Sequence, residues 1–182
     1  ARGMPGPDEP PRSFVEILEK VWWRLDRALD EGSVFLSGLV GAIEAARSGT
    51  TVLFDHHASP SFVTGSLATL RRAVEQVGLR SVLCYETTDR NGLAGREAGI
   101  EENRAFLAGG PSALTHGMVG AHASFTLSDD SLDRLAGVVR DANSSIHVHV
   151  AEDRADVEDC RARSGTGLVE RFRRHGLLAR GT

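Results

Sequence analysis

The residues of this chain that can do chemistry gather in four short stretches. They are Asp55, His56 and His57; Glu86, Asp89 and Arg90; His122 and Ser124; and His149 with Glu152. The sharpest pair lies in SSIHVHVAED (144–153), where an alternating apolar segment of Ile146, Val148 and Val150 runs into His149 and, three residues on, Glu152. An imidazole and a carboxylate at that spacing on a strand end put a metal ligand and a proton carrier on one rim. A lone strand histidine is more often satisfied by backbone groups, and the partner at Glu152 is what moves the reading towards chemistry. His147 shares the side-chain parity of His149 but sits two residues deeper, so it reads as a buried group that orients its neighbours. His56 and His57 point to opposite sides of their strand, so one of them faces the site. Glu86 and Arg90 fit either a substrate-facing pair or a loop ion-pair cluster. Glu102 and Asn103 read as helix-capping or solvated residues, and His175 as exposed.

The elements that position these groups follow a cycle. Alternating apolar runs at 51–54, 81–86, 118–125 and 145–150 read as strands, and helical spacing follows each, over 61–77, around 100–107, over 128–142 and, less regularly because Gly165 and Gly167 interrupt it, over 154–175. The polar stretch 87–99 reads as a loop. Two helices precede the cycle within 13–48. The first opens at Ser13, with Glu16 at the capping-box distance, and carries Trp22 and Trp23, which read as core and interface anchors rather than a ligand-stacking pair. Residues 1–182 thus form one α/β domain with four strand–helix units over 50–176, and the connections are too long for hairpins. Two architectures fit: an open doubly wound sheet, or part of a (β/α)8 TIM barrel, which takes roughly 250 residues when complete. In both, chemistry belongs at the C-terminal ends of parallel strands, and there the polar residues cluster. The opposite ends offer mainly Thr50, Arg80, His116 and Ser144.

Composition excludes several functions. A net charge of -4, with Lys20 the only lysine, gives no general attraction to nucleic acid or to anionic membrane surfaces. Cys84 and Cys160 lie outside any C-x-x-C pattern, so neither a disulfide framework nor a cysteine zinc site is expected, and both suit a reducing cytoplasm. No apolar run reaches membrane-span length, and residues 1–12 hold no hydrophobic signal core.

The ordered set GTTVLFDHHASP (49–60), CYETTDRNG (84–92), GIEENRAF (99–106), GAHASFTLSD (120–129) and IHVHVAED (146–153), with WWRLDRALD (22–30), resembles the amidohydrolase superfamily over essentially the whole chain. Within it the likeness is to SsnA-type aminohydrolases, relatives of adenosine- and guanine-type deaminases and of chlorohydrolases. The resemblance implies a metal-dependent hydrolase on a (β/α)8 barrel that cleaves a C–N bond of a small nitrogen heterocycle with one zinc, or sometimes iron. In such enzymes the ion is held by an H-x-H pair on the first strand, a histidine on the fifth, one on the sixth and an aspartate on the eighth. By this likeness His149 is the fifth-strand metal ligand, Glu152 the catalytic proton shuttle, and His122 a substrate-contacting histidine. His56, Glu86 and Arg90 complete the substrate-binding candidates. The chain then corresponds to barrel strands two to five, active only in a longer chain that supplies the other ligands. Two open sheet edges favour a homo-oligomer. The competing expectation is a non-catalytic α/β module for ligand binding or assembly.

Overall fold

The computed structural model describes residues 4–178. The N-terminal run is a single helical rod in three parts: α1 (Phe14–Ile17), a π-helical turn (Leu18–Trp22) and α2 (Trp23–Ala28). Ser13 caps it by accepting from Glu16 N at 3.2 Å. The π turn carries an extra residue, which rotates the following side chains, and such turns recur at functional sites. Only Leu18 of the rod is buried, so Trp22 and Trp23 are not the core anchors their size suggests. α3 (Glu31–Arg47) begins where Asp30 caps it, with Ser33 returning the bond.

The cycle then unfolds as β1 (Val52–His57), α4 (Ser66–Val77), β2 (Arg80–Tyr85), α5 (Gly92–Ala108), β3 (Thr115–Gly117), β4 (Val119–Ala123), α6 (Asp129–Asp141), β5 (Ile146–His149), α7 (Arg154–Ser164) and α8 (Leu168–Arg174). All pairings are parallel and sequential: β1 with β2, β2 with β3, and β4 with β5. This unbroken order is that of a barrel wall, and a doubly wound sheet would reverse direction at a switch point.

The run 118–125 holds one strand, β4, which follows the short β3 after Met118 and turns from β2 onto β5; it ends two residues earlier than expected, in a 3₁₀ turn at Ser124–Thr126. The ladder continues across that joint, since Thr87 N donates to Gly120 O at 3.2 Å and His122 N to Thr87 O at 3.0 Å. Residues 92–99 are helix, not loop. The buried stripe of α5 is Arg96, Gly99, Ile100, Asn103 and Phe106, correctly spaced for a helix but mostly polar or small, so a search for apolar periodicity passes over it. The last helical stretch is interrupted at its glycines as expected: α7 ends at Ser164, where Gly165 adopts φ +66, and α8 restarts at Leu168 after Gly167.

Asn103 and Glu102 also do other work than their sequence suggests. Asn103 is fully buried, and its Oδ1 accepts from Tyr85 N (2.9 Å) and Gly120 N (3.2 Å) while its Nδ2 donates to Tyr85 O (2.8 Å) and Gly99 O (3.1 Å). The amide replaces the missing backbone pairs where β4 leaves β2. Gly120 makes that closeness feasible, because a Cβ there would stand 2.2 Å from Tyr85 O. Glu102 caps not its own helix but α4, accepting from Gly65 N at 2.8 Å and Leu67 N at 2.9 Å. His175 is not exposed in the manner expected: its Nδ1 meets Asp133 Oδ1 at 2.6 Å.

Three apolar clusters back the sheet among the described residues, the smallest formed by Ala42, Val74 and Leu79 against Leu53 of β1. Val34, Leu67, Leu70 and Leu83 join α3, α4 and β2, while Val119, Leu132, Leu135, Val138 and Phe172 join β4 to α6 and α8. Each such side chain, fully buried, contributes about 1.5–3 kcal/mol, enough in sum to hold the strand ends in place.

Candidate functional site

The C-terminal ends of β1, β2, β4 and β5 open into a cavity of about 230 Å³. His56, Glu86, Arg90, His122, His149 and Glu152, each selected from sequence, all line it. The helical rod forms the opposite wall with Phe14, Leu18, Trp22, Trp23 and Asp26. Sequence reasoning missed this wall. The clustering of aromatic and acidic residues in WWRLDRALD was the available signal, but which face they present depends on the π turn.

β1 separates its two histidines as the strand period requires. His57 is buried and turned away, its Nε2 at 2.8 Å from Ser59 Oγ. Since that hydroxyl donates to Phe62 O at 2.6 Å, it accepts from His57, whose role is to fix the turn. Burial holds His57 down at about 4, so it is neutral. His56 faces the cavity, with ring centroids 4.6 Å from His149 and 4.5 Å from His147. Burial and then the neighbouring histidines push His56 down to about 2. His147 is therefore no buried scaffold: it is half-buried, in ring contact with His56, and lowered chiefly by burial.

His122 is the best-defined group. Its Nδ1 lies 2.7 Å from Thr126 Oγ1, and that hydroxyl donates to Ala123 O at 3.1 Å, so Nδ1 carries the hydrogen and Nε2 is left as a free acceptor. Burial, with Arg90 nearby, lowers it to about 3. Its ring stands 5.8 Å from that of His149.

Arg90 anchors the far side. It pairs with Glu86 through a short Nη2 to Oε1 contact and with Asp26 at 3.5 Å, and it stacks over Trp23 at 4.6 Å. One cation thus sits between two carboxylates. Burial outweighs its attraction, raising Glu86 to about 7 and Asp26 to about 6. Arg90 Nη1, Trp23 Nε1 and His56 Nε2 are buried without a hydrogen-bond partner among the described residues. Unsatisfied buried donors and acceptors cost about 1–3 kcal/mol each, and these three belong to residues that line the same cavity. Glu152 stands at the exposed lip.

One ligating atom from each of His56, Glu86 and His149 lies within 4.8 Å of the others. Neutral imidazoles with a carboxylate are the donor set of a zinc-type ion. The rim can therefore hold a cation, seat a polar planar molecule between Trp23 and the histidines, and present a carboxylate to it.

Comparison with known proteins bears on this arrangement. A model of the "Amidohydrolase family" matches residues 11–181. The chain is 32% identical over 173 residues to 5-methylthioadenosine/S-adenosylhomocysteine deaminase of Moorella thermoacetica, covering 94% of this chain and 38% of that protein. It is 31% identical over 140 residues to 5'-deoxyadenosine deaminase of Methanobrevibacter smithii, covering 75% of this chain and 31% of that protein. An adenosine deaminase from Xanthomonas campestris with bound zinc superposes with a TM-score of 0.75 at 19% identity, over 95% of this chain and 39% of that one. A triazine hydrolase from Arthrobacter aurescens superposes at 0.76 and 14% identity, over 94% and 42%. At those identities the two structures speak for the fold, which is that of the hydrolase barrel. The chain spans less than two fifths of the length of these curated relatives.

Proposed function

The chain belongs to the amidohydrolase family, and on that premise we propose that it forms the substrate-facing part of a metal-dependent aminohydrolase. The reaction is hydrolysis of a C–N bond on an amino-substituted nitrogen heterocycle, with release of ammonia. Purine nucleosides of the adenosine type are the first substrates to test, because the relatives cited above are deaminases of that class. The single observation that carries the reading is the convergence of His149, His122 and Glu152, from two strands and a loop, on one cavity.

His149 would hold the ion, zinc or iron, together with further ligands from outside these residues. When bound, the ion supplies Lewis acidity and a water of lowered pKa. The chain's own groups do the rest. Glu152, at the lip, takes up the proton of the attacking water and delivers it to the leaving nitrogen. His122, fixed by Thr126 with Nε2 free, accepts a hydrogen bond from the substrate and orients the ring. Arg90, held by Glu86 and Asp26 against Trp23, and His56 bind the remaining polar edge. Trp22 and Trp23 offer the heterocycle an aromatic wall that excludes water.

The test is ammonia release by the full-length protein, loaded with zinc or iron, from a panel of aminopurines, pyrimidines, pterins and triazines. Activity that is metal-dependent and lost in Glu152→Gln supports the assignment. Full activity in that variant would sink the role given to Glu152, and a metal-free, inert full-length protein would favour a binding module instead.

Two further elements belong to this reading. No helix among the described residues is long and apolar enough to cross a membrane, and both cysteines are free, which supports a cytoplasmic location. β1 is paired on one side only among the described residues and exposes Phe54 (62%); an edge of that kind promotes self-association. Sizing chromatography of these 182 residues alone is expected to show oligomers, and a clean monomer would contradict that.

A further inference from the structure

One layer below Glu86 and His149, the inner face of the sheet gathers a second donor set. His56, Cys84 and His147 come from β1, β2 and β5, and one ligating atom from each lies within 4.8 Å of the others. His56 stands between two partners. Its Nδ1 is 3.8 Å from the Cys84 sulfur, and its Nε2 is 3.8 Å from Glu86 Oε2. A neutral imidazole has one lone pair, so the partner of one nitrogen decides what the other can bind. With its hydrogen on Nε2, facing Glu86, the ring aims a bare Nδ1 at Cys84 and His147. A carboxylate behind the far nitrogen is the usual orienter of metal-bound histidines. The opposite tautomer would aim an N–H at a thiol, a weak acceptor.

Distances support the lower set. Zinc bonds of about 2.1 Å to nitrogen and 2.3 Å to sulfur, at a tetrahedral angle, separate the two donors by about 3.6 Å; His56 Nδ1 and Cys84 Sγ are 3.8 Å apart. The His56 side chain is only 9% exposed, yet its Nε2 has no hydrogen-bond partner among the described residues. Cys84 is 1% exposed, and its thiol donates to Asp55 O at 3.3 Å. Binding breaks the S–H bond, leaves the electron pair on sulfur to form the metal–thiolate bond, and sends one proton to solvent per ion. Cys160 is equally buried but meets Ser164 Oγ and Thr166 O, each at 3.5 Å, and belongs to neither group of clustered ligands. It is an internal control.

We propose that His56, Cys84 and His147 form a site for a thiophilic divalent cation, Zn²⁺ foremost, separate from the rim centred on His149, with the fourth position left to solvent. Because His56 serves it through Nδ1, an ion here removes His56 from duty towards the substrate.

The test is Co²⁺ titration of the chelator-stripped full chain. A near-ultraviolet thiolate-to-cobalt charge-transfer band is expected in the wild type and in His149→Gln. It should vanish in Cys84→Ser and weaken at least tenfold in affinity in His147→Gln, with Glu86→Gln losing about tenfold. Circular dichroism checks that each variant is folded. On the unaltered chain, Zn²⁺ should slow alkylation of Cys84 and leave that of Cys160 unchanged. The proposal is overturned by absence of the band together with zinc-insensitive alkylation of Cys84, by a band that survives Cys84→Ser, or by equal loss in His149→Gln. The last outcome would leave the rim assignment standing, and failure of the deaminase assay would leave this site standing.

Discussion

Two places in this molecule bring polar groups out of water, and they treat them oppositely. At the β2–β4 joint, Asn103 is fully buried and both ends of its amide are engaged, tying Tyr85, Gly99 and Gly120 together. At the rim, His56 on β1, Arg90 in the loop after β2 and Trp23 on the helical rod are each left with one buried nitrogen without a partner among the described residues. The joint is finished and the rim is waiting. A satisfied network rigidifies the backbone that carries the strand ends, and the unsatisfied one stores the binding capacity. The difference also explains why the rim tolerates two neutral histidines, His56 and His122, and an arginine held between two carboxylates: the stability given up there is supplied by the joint and the apolar clusters behind it.

The comparison predicts separable effects. The largest belongs to chemistry at the rim: Glu152→Gln should lower turnover of the full-length, metal-loaded protein by about 10²–10⁴-fold while shifting the denaturation midpoint hardly at all, since Glu152 is exposed. Steady-state kinetics and urea melts on one preparation read both. At the joint the pattern reverses. Asn103→Leu strands the backbone groups of Tyr85 and Gly120 and should cost about 3 kcal/mol or more, with a matching loss of urea midpoint. Gly120→Ala should cost about 1–3 kcal/mol, because the new methyl overlaps Tyr85 O. If either joint variant keeps wild-type stability, the contrast drawn here is wrong. Smallest is His56→Leu, which replaces an unsatisfied buried ring by an apolar group of similar reach. It should leave stability unchanged or raise it by up to about 1 kcal/mol while weakening substrate binding; a clear destabilisation would show that His56 is part of the scaffold.

The parallel strand–helix cycle was legible because apolar residues alternate in the strands and recur at helical spacing in α4 and α6, and both patterns are local. The rim was legible for a related reason: in parallel folds the reactive residues follow the C-terminal end of each strand, so Glu86, His122 and His149 could be placed without coordinates. The first two turns of α5 escaped because their buried positions are Arg96 and Gly99, whose burial rests on partners elsewhere in the chain, whereas the half around 100–107 was expected. The roles of His147 and of the Trp22–Trp23 pair escaped because they depend on what stands opposite, and on a π turn that no local propensity announces.

What the sequence by itself determined is the order of elements, their parallel sense and the strand ends at which chemistry collects, since these follow from periodicity and from the alternation of side chains along a strand. What only the tertiary structure decided is which polar residues find partners and which do not. Asn103 and His56 are both polar residues on elements flanking β2, and nothing in their neighbours marks one for the joint and the other for the cavity. The distinction is made by distances between strands and helices far apart in the chain, because a hydrogen bond is won or lost over less than an ångström.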